Sequence, residues 1–142
     1  MLYWVARPWR QTFNFSDRAT RREYWFFLVQ LYVGFLIAMF GIGMVLGLAY
    51  PAALDDEGSP VIGVLTIVAM LLLLVPYLSA SVRRLHDHDK SGWLFLLTFV
   101  PLAGWIFYLI MMLTPGTQGA NSYGSDPRDR LESGGDMAEV FR

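Results

Sequence analysis

The chain has 142 residues, of which 55% are hydrophobic and 16% are charged, and its formal net charge is −1 at pH 7. A soluble domain typically carries about 25% charged residues, so this composition disfavours an ordinary soluble protein. The chain contains no cysteine, which excludes disulfides, thiolate nucleophiles and Cys-based zinc sites. We expect no nucleic-acid partner.

Three long blocks contain no Asp, Glu, Lys or Arg, and the first follows an N-terminal segment of residues 1–23. A helix needs about 20 mostly apolar residues to cross the hydrocarbon core of a membrane, and all three blocks reach that length. The pattern predicts an all-α integral membrane protein, with an N-terminal interfacial segment and a three-helix transmembrane bundle in residues 24–113. The predicted spans are about 24–50, 61–82 and 93–113.

The N-terminal segment alternates tryptophan and phenylalanine with arginine, which suits a chain lying on an anionic leaflet. Its end, Thr20-Arg21-Arg22-Glu23, fits a capping box: Thr20 accepts from the N–H of Glu23, and the Glu23 carboxylate reaches back. Tyr24 and Trp25 follow at the predicted headgroup depth, where amphipathic rings prefer to lie. We therefore predict that both are interfacial anchors, and we add Trp93 at the start of the third span.

Basic residues divide unevenly among the connections. The N-terminal segment holds five and the second connection three, whereas residues 51–60 hold none and carry Asp55, Asp56 and Glu57. The positive-inside rule then places the N-terminus in the cytoplasm and the acidic connection outside. If the third run crosses, the polar tail, residues 114–142, also lies outside; we expect its last ten residues to be disordered.

Pro101 and Gly104 interrupt the third run near its middle. A re-entrant hairpin, which enters the membrane and returns to the same side, would place the tail in the cytoplasm instead. We favour the simple crossing, because 20-odd apolar residues barely suffice for a re-entrant pair.

Both histidines of the chain lie in the second connection, in the run His86-Asp87-His88-Asp89. Imidazole and carboxylate suit zinc or iron, but on a helix His86 and His88 point about 200° apart, from the 3.6-residue turn. We predict no metal site, no cofactor and no catalytic residue. Asp87 or Asp89 is instead expected to pair with nearby arginines and join the cytoplasmic ends of two helices.

The first span contains a GxxxG pattern, Gly43 to Gly47, which lets helices approach closely in lipid. We prefer packing within the chain, and a homo-oligomer stays an open alternative. Transport coupled to protons or ions usually needs an ionisable side chain inside the membrane. The polar side chains within the spans are Gln30, Thr66, Ser79, Ser81 and Thr98.

Four segments in this order resemble the DUF805 family of small bacterial inner-membrane proteins. They are Phe15 to Trp25 (FSDRATRREYW), Arg83 to Trp93 (RRLHD…SGW), Pro101 to Gly104 (PLAG) and Asn121 to Gly124 (NSYG). The resemblance covers roughly residues 13–127, and Asp17 and His88-Asp89-Lys90 depart from its usual pattern. It implies a multi-pass protein of the bacterial inner membrane and carries no established activity.

Our leading hypothesis is a non-enzymatic membrane protein with a charged, headgroup-facing cytoplasmic cluster that binds anionic lipids or a partner. The alternatives are a subunit of an oligomeric transporter or channel and, less favoured, an enzyme acting on a lipid-linked substrate. The predicted cluster consists of Arg18, Arg22, Glu23, Arg83, Arg84, His86 and Asp87.

Overall fold

The computed structural model describes residues 2–49 and 60–132, and this part of the chain is helical without strands. The acidic connection with Asp55, Asp56 and Glu57 and the last ten residues, whose predicted disorder is noted above, lie outside the described residues. The helices are α1 (Leu2–Arg10), α2 (Arg21–Ala49), α3 (Pro60–Asp87), a 3-10 helix (Gly92–Phe99), α4 (Ala103–Leu113) and α5 (Pro127–Glu132).

Helices α2 and α3 contain 29 and 28 residues, so each is about 40 Å long at 1.5 Å per residue and exceeds the hydrocarbon thickness. They are antiparallel, since Glu23 near the start of α2 is paired with Arg83 near the end of α3. In the most apolar 18-residue stretch of each helix, only 6% of the residues are buried in α2 and 11% in α3. A core helix of a soluble protein would bury most of its side chains. Their length and exposed apolar surface suit two membrane crossings.

The third predicted span, residues 93–113, is not one helix, and the predicted three-helix bundle is not confirmed. The 3-10 helix of 8 residues and α4 of 11 residues are each about 16 Å long, half of what a crossing needs. Pro101 has no backbone N–H to continue the 3-10 helix, and Leu102 lies at φ 61°. The chain turns back at these residues.

Both ends of this helical pair lie beside the end of α3. Lys90, just before the 3-10 helix, donates its N–H to the carbonyl of Leu85, and Arg84 donates to the carbonyl of Thr114, just after α4. The third run is therefore a hairpin that returns to its starting side. The tail follows it to the same end as the N-terminal segment, so its expected place opposite the N-terminus is corrected too.

The buried apolar core is confined to this end of the molecule. Tyr24 and Phe27 of α2, Leu85 of α3 and Met112 of α4 form its centre. Further along, α2 and α3 pack on each other without α4, and an open apolar groove of about 640 Å³ lies between them. The part of the fold with polar chemistry is thus the end where α2 begins and α3 ends.

Candidate functional site: a buried cluster of arginines and carboxylates

Charged side chains meet where α2 begins and α3 ends, and most of them are buried. Burying a charge is costly unless it is paired and hydrogen-bonded, so each arginine here requires an acid or several carbonyl groups. We call this group the polar cluster. Its members are Arg7, Asp17, Arg18, Glu23, Arg83, Arg84 and Asp87.

Glu23, in the first turn of α2, is the acid of one half of the cluster. Its two carboxylate oxygens accept from Arg7 at 2.9 Å and from Arg83 at 3.2 Å. Arg7 also pairs with Asp17 at 3.0 Å, and Gln11 bridges Arg83 and Asp17 through its side-chain amide. This half therefore fastens α1 and the loop after it to the two long helices.

Asp87, at the end of α3, is the acid of the other half. Arg18 donates to its Oδ1 through Nε at 3.1 Å and Nη2 at 3.0 Å, a two-pronged contact that the planar guanidinium favours. Arg84, one turn earlier on α3, donates to Oδ2. Both arginines are fully buried, so Asp87 pairs with two buried cations from separate segments.

The tail closes over this half of the cluster. Arg18 donates to the carbonyls of Thr117 at 2.7 Å and Gly119 at 2.6 Å, and the N–H of Thr117 donates to the Asp87 carbonyl at 2.8 Å. A Cβ on Gly116 would lie 1.9 Å from Asp87 Oδ2. Glycine at 116 therefore lets the backbone pass directly against the carboxylate, and the cluster is closed toward the tail.

The two histidines point to different partners. His86 is 7% exposed and stacks on Tyr123 of the tail, with ring centroids 3.8 Å apart. His88 donates from Nε2 to the carbonyl of Met111 at 2.7 Å. Burial lowers the pKa of His88 below its usual value, and the charge of Arg84 lowers it further. Within residues 2–49 and 60–132 there is no group of three or more His, Asp or Glu that could hold a metal ion.

Hydroxyl groups join the helices beneath the polar cluster. The Tyr108 hydroxyl of α4 lies 2.7 Å from that of Tyr24, 3.0 Å from that of Tyr77 and 2.9 Å from the Ser81 Oγ. In lipid such groups need partners within the protein. This contact explains how the short α4 is held between α2 and α3.

An ion pair also organises the outer tail. Asp126 accepts from the side chain of Arg128 and from the N–H of Gly119 at 3.0 Å. Burial alone would raise the pKa of Asp126, but these hydrogen bonds outweigh it and lower the pKa to about 2. The carboxylate stays ionised and fixes the loop whose carbonyls bind Arg18.

The structure brings together five of the seven residues of the predicted cluster and places His86 at its edge. Arg22 is exposed at the start of α2 and has no place in the buried ion pairs. Thr20 accepts from the N–H of Glu23 at 3.2 Å, as half of a capping box requires, but the Glu23 carboxylate turns to the arginines instead of reaching back. The cluster is thus buried among protein groups rather than facing headgroups.

The three predicted interfacial anchors differ in exposure. Trp93 is 79% exposed and Trp25 36%, and Trp25 donates its indole N–H to the carbonyl of Met112. Tyr24 is only 2% exposed, because its hydroxyl turns inward to Tyr108. Tyr24 is therefore corrected from an anchor to a core residue.

Several residues of the site have no prediction from the sequence. A signal exists for Arg7 and Asp17, because a buried acid such as Glu23 among five arginines calls for further pairing. For Thr117 the residue type gives no such signal, since its contact with Arg18 is made by a backbone carbonyl that any residue supplies. The residues without a prediction are Arg7, Gln11, Asp17, Tyr77, Tyr108, Thr117 and Asp126.

Two long apolar helices with exposed side chains, together with a closed polar cluster at one end, define a small helical membrane protein. A model of a protein family of unknown function (DUF805) matches residues 12–125. The chain belongs to the DUF805 family, and the resemblance given above is confirmed.

Two of three relatives of this chain in Escherichia coli (strain K12) are named as inner membrane proteins. Inner membrane protein YhaI is 38% identical, with 89% of this chain and 97% of the relative covered. Inner membrane protein YhaH is 32% identical over 88% of this chain and 96% of its own. Uncharacterized protein YiiR is 30% identical over 82% and 88%. No solved structure matches the chain.

Proposed function

We propose that this protein is a non-enzymatic membrane protein whose cytoplasmic end binds anionic lipid headgroups through its exposed arginines. The observation that carries the proposal is a difference in exposure between the basic and the acidic side chains of the N-terminal part of the chain. From residue 6 to residue 49, the exposed charged side chains are all basic, namely Arg10, Arg21 and Arg22. The acids of the same stretch, Asp17 and Glu23, are paired with Arg7. An outward basic surface therefore remains beside the membrane helices.

The position of α1 supports contact with headgroups. Trp9 packs edge-on against Phe27 with ring centroids 5.3 Å apart, and its indole N–H donates to Gln30. Phe13, just after α1, is 81% exposed. Aromatic rings with one polar edge favour the headgroup region, and α1 would place Arg10 at that depth.

The buried cluster has a different part in this proposal. Arg18, Arg83 and Arg84 are at most 1% exposed, so they stabilise the fold and leave lipid binding to the exposed arginines. The excess of basic residues at this end favours a cytoplasmic N-terminus in a multi-pass arrangement. A homo-oligomer remains a prediction from the sequence. The same holds for the alternative that this chain is a subunit of an oligomeric transporter or channel.

A charge-selective binding experiment tests the proposal. The purified full chain is equilibrated with phosphatidylmethanol and phosphatidylcholine of identical acyl chains, and bound lipid is counted by native mass spectrometry. We expect a preference for the anionic lipid that falls at least about tenfold when Arg10, Arg21 and Arg22 are all replaced by Gln, since each basic group near an anionic surface contributes about 1 kcal/mol.

Replacement of the same three arginines by Lys is the matched control, because a headgroup phosphate accepts either cation. The Lys variant should retain most of the preference. An unchanged preference in the Gln variant, with its helical circular dichroism intact, would refute the proposal.

A further inference from the structure

One hydroxyl group on the long helices has no partner among the residues that the structure describes. Tyr32 of α2 is 64% exposed and makes no hydrogen bond with any other described residue. The other hydroxyl and amide side chains of α2 and α3 are all hydrogen-bonded within the chain, namely Tyr24, Gln30, Thr66, Tyr77, Ser79 and Ser81. Tyr32 is therefore the exception in these two helices.

The position of Tyr32 along α2 makes this exception costly. It lies three residues, about 4.5 Å, from the midpoint of the helix Arg21–Ala49, and the hydrocarbon core extends about 15 Å to either side of the centre of a bilayer. The side chain leans toward the start of α2, but the exposed Arg22 is ten residues, or about 15 Å, away. With α2 as a crossing, the hydroxyl lies in the hydrocarbon core, where its partner has to come from protein.

The face of α2 that carries Tyr32 is open. Val29, Tyr32 and Leu36 follow one another at intervals of three and four residues, and their exposed fractions are 61%, 64% and 49%. Gly43 lies on the same face about three turns beyond Tyr32, and a Cβ there would meet nothing within 4 Å. The first glycine of the GxxxG pattern is therefore not packed against another part of the described chain.

A second copy of the chain offers a matching group at the same depth. Two copies inserted in the same direction are related by a two-fold axis along the membrane normal, and a residue beside such an axis meets its own copy. A tyrosine hydroxyl both donates and accepts, so two Tyr32 hydroxyls are complementary to each other. An acyl chain has no such group, and a different protein would need one placed at this depth.

We propose that α2 packs against α2 of a second copy through the face around Tyr32, with the two Tyr32 hydroxyls hydrogen-bonded across the two-fold axis. Gly43 lets the two helices approach closely further along the same face. This interface is separate from the exposed arginines and does not depend on their binding of lipid.

Tyr32→Phe tests the hydrogen bond, because it removes one oxygen atom that has no contact to lose within the described chain. The full chain, labelled through Ser122→Cys with donor or acceptor dye, is placed in phosphatidylcholine vesicles, and energy transfer is measured over a range of protein-to-lipid ratios. We expect a dimer whose dissociation constant rises about threefold to tenfold in Tyr32→Phe, the usual effect of one hydrogen bond between membrane helices.

A pair of neighbouring cysteines tests the face without changing Tyr32. Leu36 lies one turn beyond Tyr32 on the proposed interface, whereas Ile37, which is 67% exposed, points about 100° away from Leu36. The chain has no cysteine of its own. Oxidation in phosphatidylcholine vesicles should therefore join Leu36→Cys to its own copy and leave Ile37→Cys largely unlinked.

Three results would each overturn the proposal. They are a monomer at every protein-to-lipid ratio, an unchanged dissociation constant in Tyr32→Phe, and cross-linking of Ile37→Cys that equals or exceeds that of Leu36→Cys. The vesicles contain no anionic lipid, so a failure of the arginine proposal would leave these measurements unaffected and would be seen separately.

Discussion

Arg18 and Arg22 show how differently one residue type behaves at two nearby positions. Arg18 has no exposed surface and donates to Asp87 and to three backbone carbonyls of the tail. Arg22 lies on the exposed side of the first turn of α2. The first side chain holds three segments together, whereas the second faces the surroundings of the helix.

Replacing each arginine by Gln should separate these two roles. Arg18→Gln leaves Asp87 with one partner fewer and the tail carbonyls with fewer donors, and breaking a buried pair costs about 3–5 kcal/mol. Arg22→Gln should change the stability by less than about 0.5 kcal/mol, as is usual at the surface. Thermal unfolding in detergent, followed by circular dichroism at 222 nm, measures both.

The comparison is direct because the same atoms are removed at both positions. A melting temperature of Arg18→Gln equal to that of the parent chain would mean that the Arg18 contacts do not stabilise the protein. A loss in Arg22→Gln as large as in Arg18→Gln would show that the first turn of α2 depends on Arg22.

At the scale of the elements, the hairpin shows that an apolar run does not by itself determine whether the chain crosses the membrane or turns back. The sequence composition of residues 94–113 is equally suitable for a crossing and for a hairpin, because both keep apolar side chains away from water. The choice depends on the local backbone: Pro101 interrupts hydrogen bonding and Leu102 adopts φ 61°. In the sequence, Pro101 and Gly104 indicated this break, whereas the argument from the length of the run favoured a crossing.

Gly104 explains why the hairpin can close. A Cβ at this position would lie 1.7 Å from the carbonyl oxygen of Leu97 and 3.1 Å from the Cα of Thr98. These are backbone atoms of the other arm, which cannot rotate aside. The two arms therefore touch at Gly104, and only glycine allows the approach.

Gly104→Ala should destabilise the protein by about 1–3 kcal/mol or more, the usual cost of inserting a methyl group into a packed contact. Gly34→Ala is the matched control, because a Cβ there meets nothing within 4 Å. In the middle of α2 alanine should be neutral or stabilise by up to about 1 kcal/mol. Relative to the parent chain, Gly104→Ala should thus lower the melting temperature in detergent, and Gly34→Ala should leave it unchanged or raise it. A melting temperature of Gly104→Ala equal to that of the parent chain would contradict the hairpin.

Ion pairing at this end of the helices was easier to predict from the sequence than the hairpin. The residues concerned are Arg18, Glu23, Arg83, Arg84 and Asp87. These residues flank the apolar runs, and charges next to lipid must find opposite charges. Which acid meets which arginine was not accessible, because it depends on α1 folding back and on the tail crossing Asp87. Those are contacts between residues up to about a hundred positions apart, and no local pattern encodes them.

At the scale of the whole molecule, the hairpin changes the distribution of charge expected across the membrane if α2 and α3 are its two crossings. With two crossings, the N-terminal segment, the connection with Arg83 and Arg84, and the tail with Arg128 all lie at one end of α2 and α3. The other end leads into the connection that carries Asp55, Asp56 and Glu57, outside the described residues. The positive-inside rule then favours a cytoplasmic N-terminus more strongly than three spans would, since no basic tail has to be translocated.

The absence of cysteine from the chain allows this arrangement to be tested with single cysteines at exposed positions. Ser16→Cys reports on the N-terminal segment, Ser122→Cys on the tail and Pro60→Cys on the first residue of α3. A membrane-impermeant maleimide added to intact bacteria should label Pro60→Cys alone. The other two should react once the inner membrane is opened, because both lie at the polar-cluster end.

The label on Ser122→Cys decides between the hairpin and the crossing. If residues 93–113 crossed the membrane, this cysteine would react in intact cells together with Pro60→Cys, and Arg18 could not reach the carbonyls of Thr117 and Gly119. Labelling of Ser16→Cys and Ser122→Cys together in intact cells, with Pro60→Cys protected, would keep the hairpin and reverse the orientation. The three positions thus test the number of crossings and their direction independently.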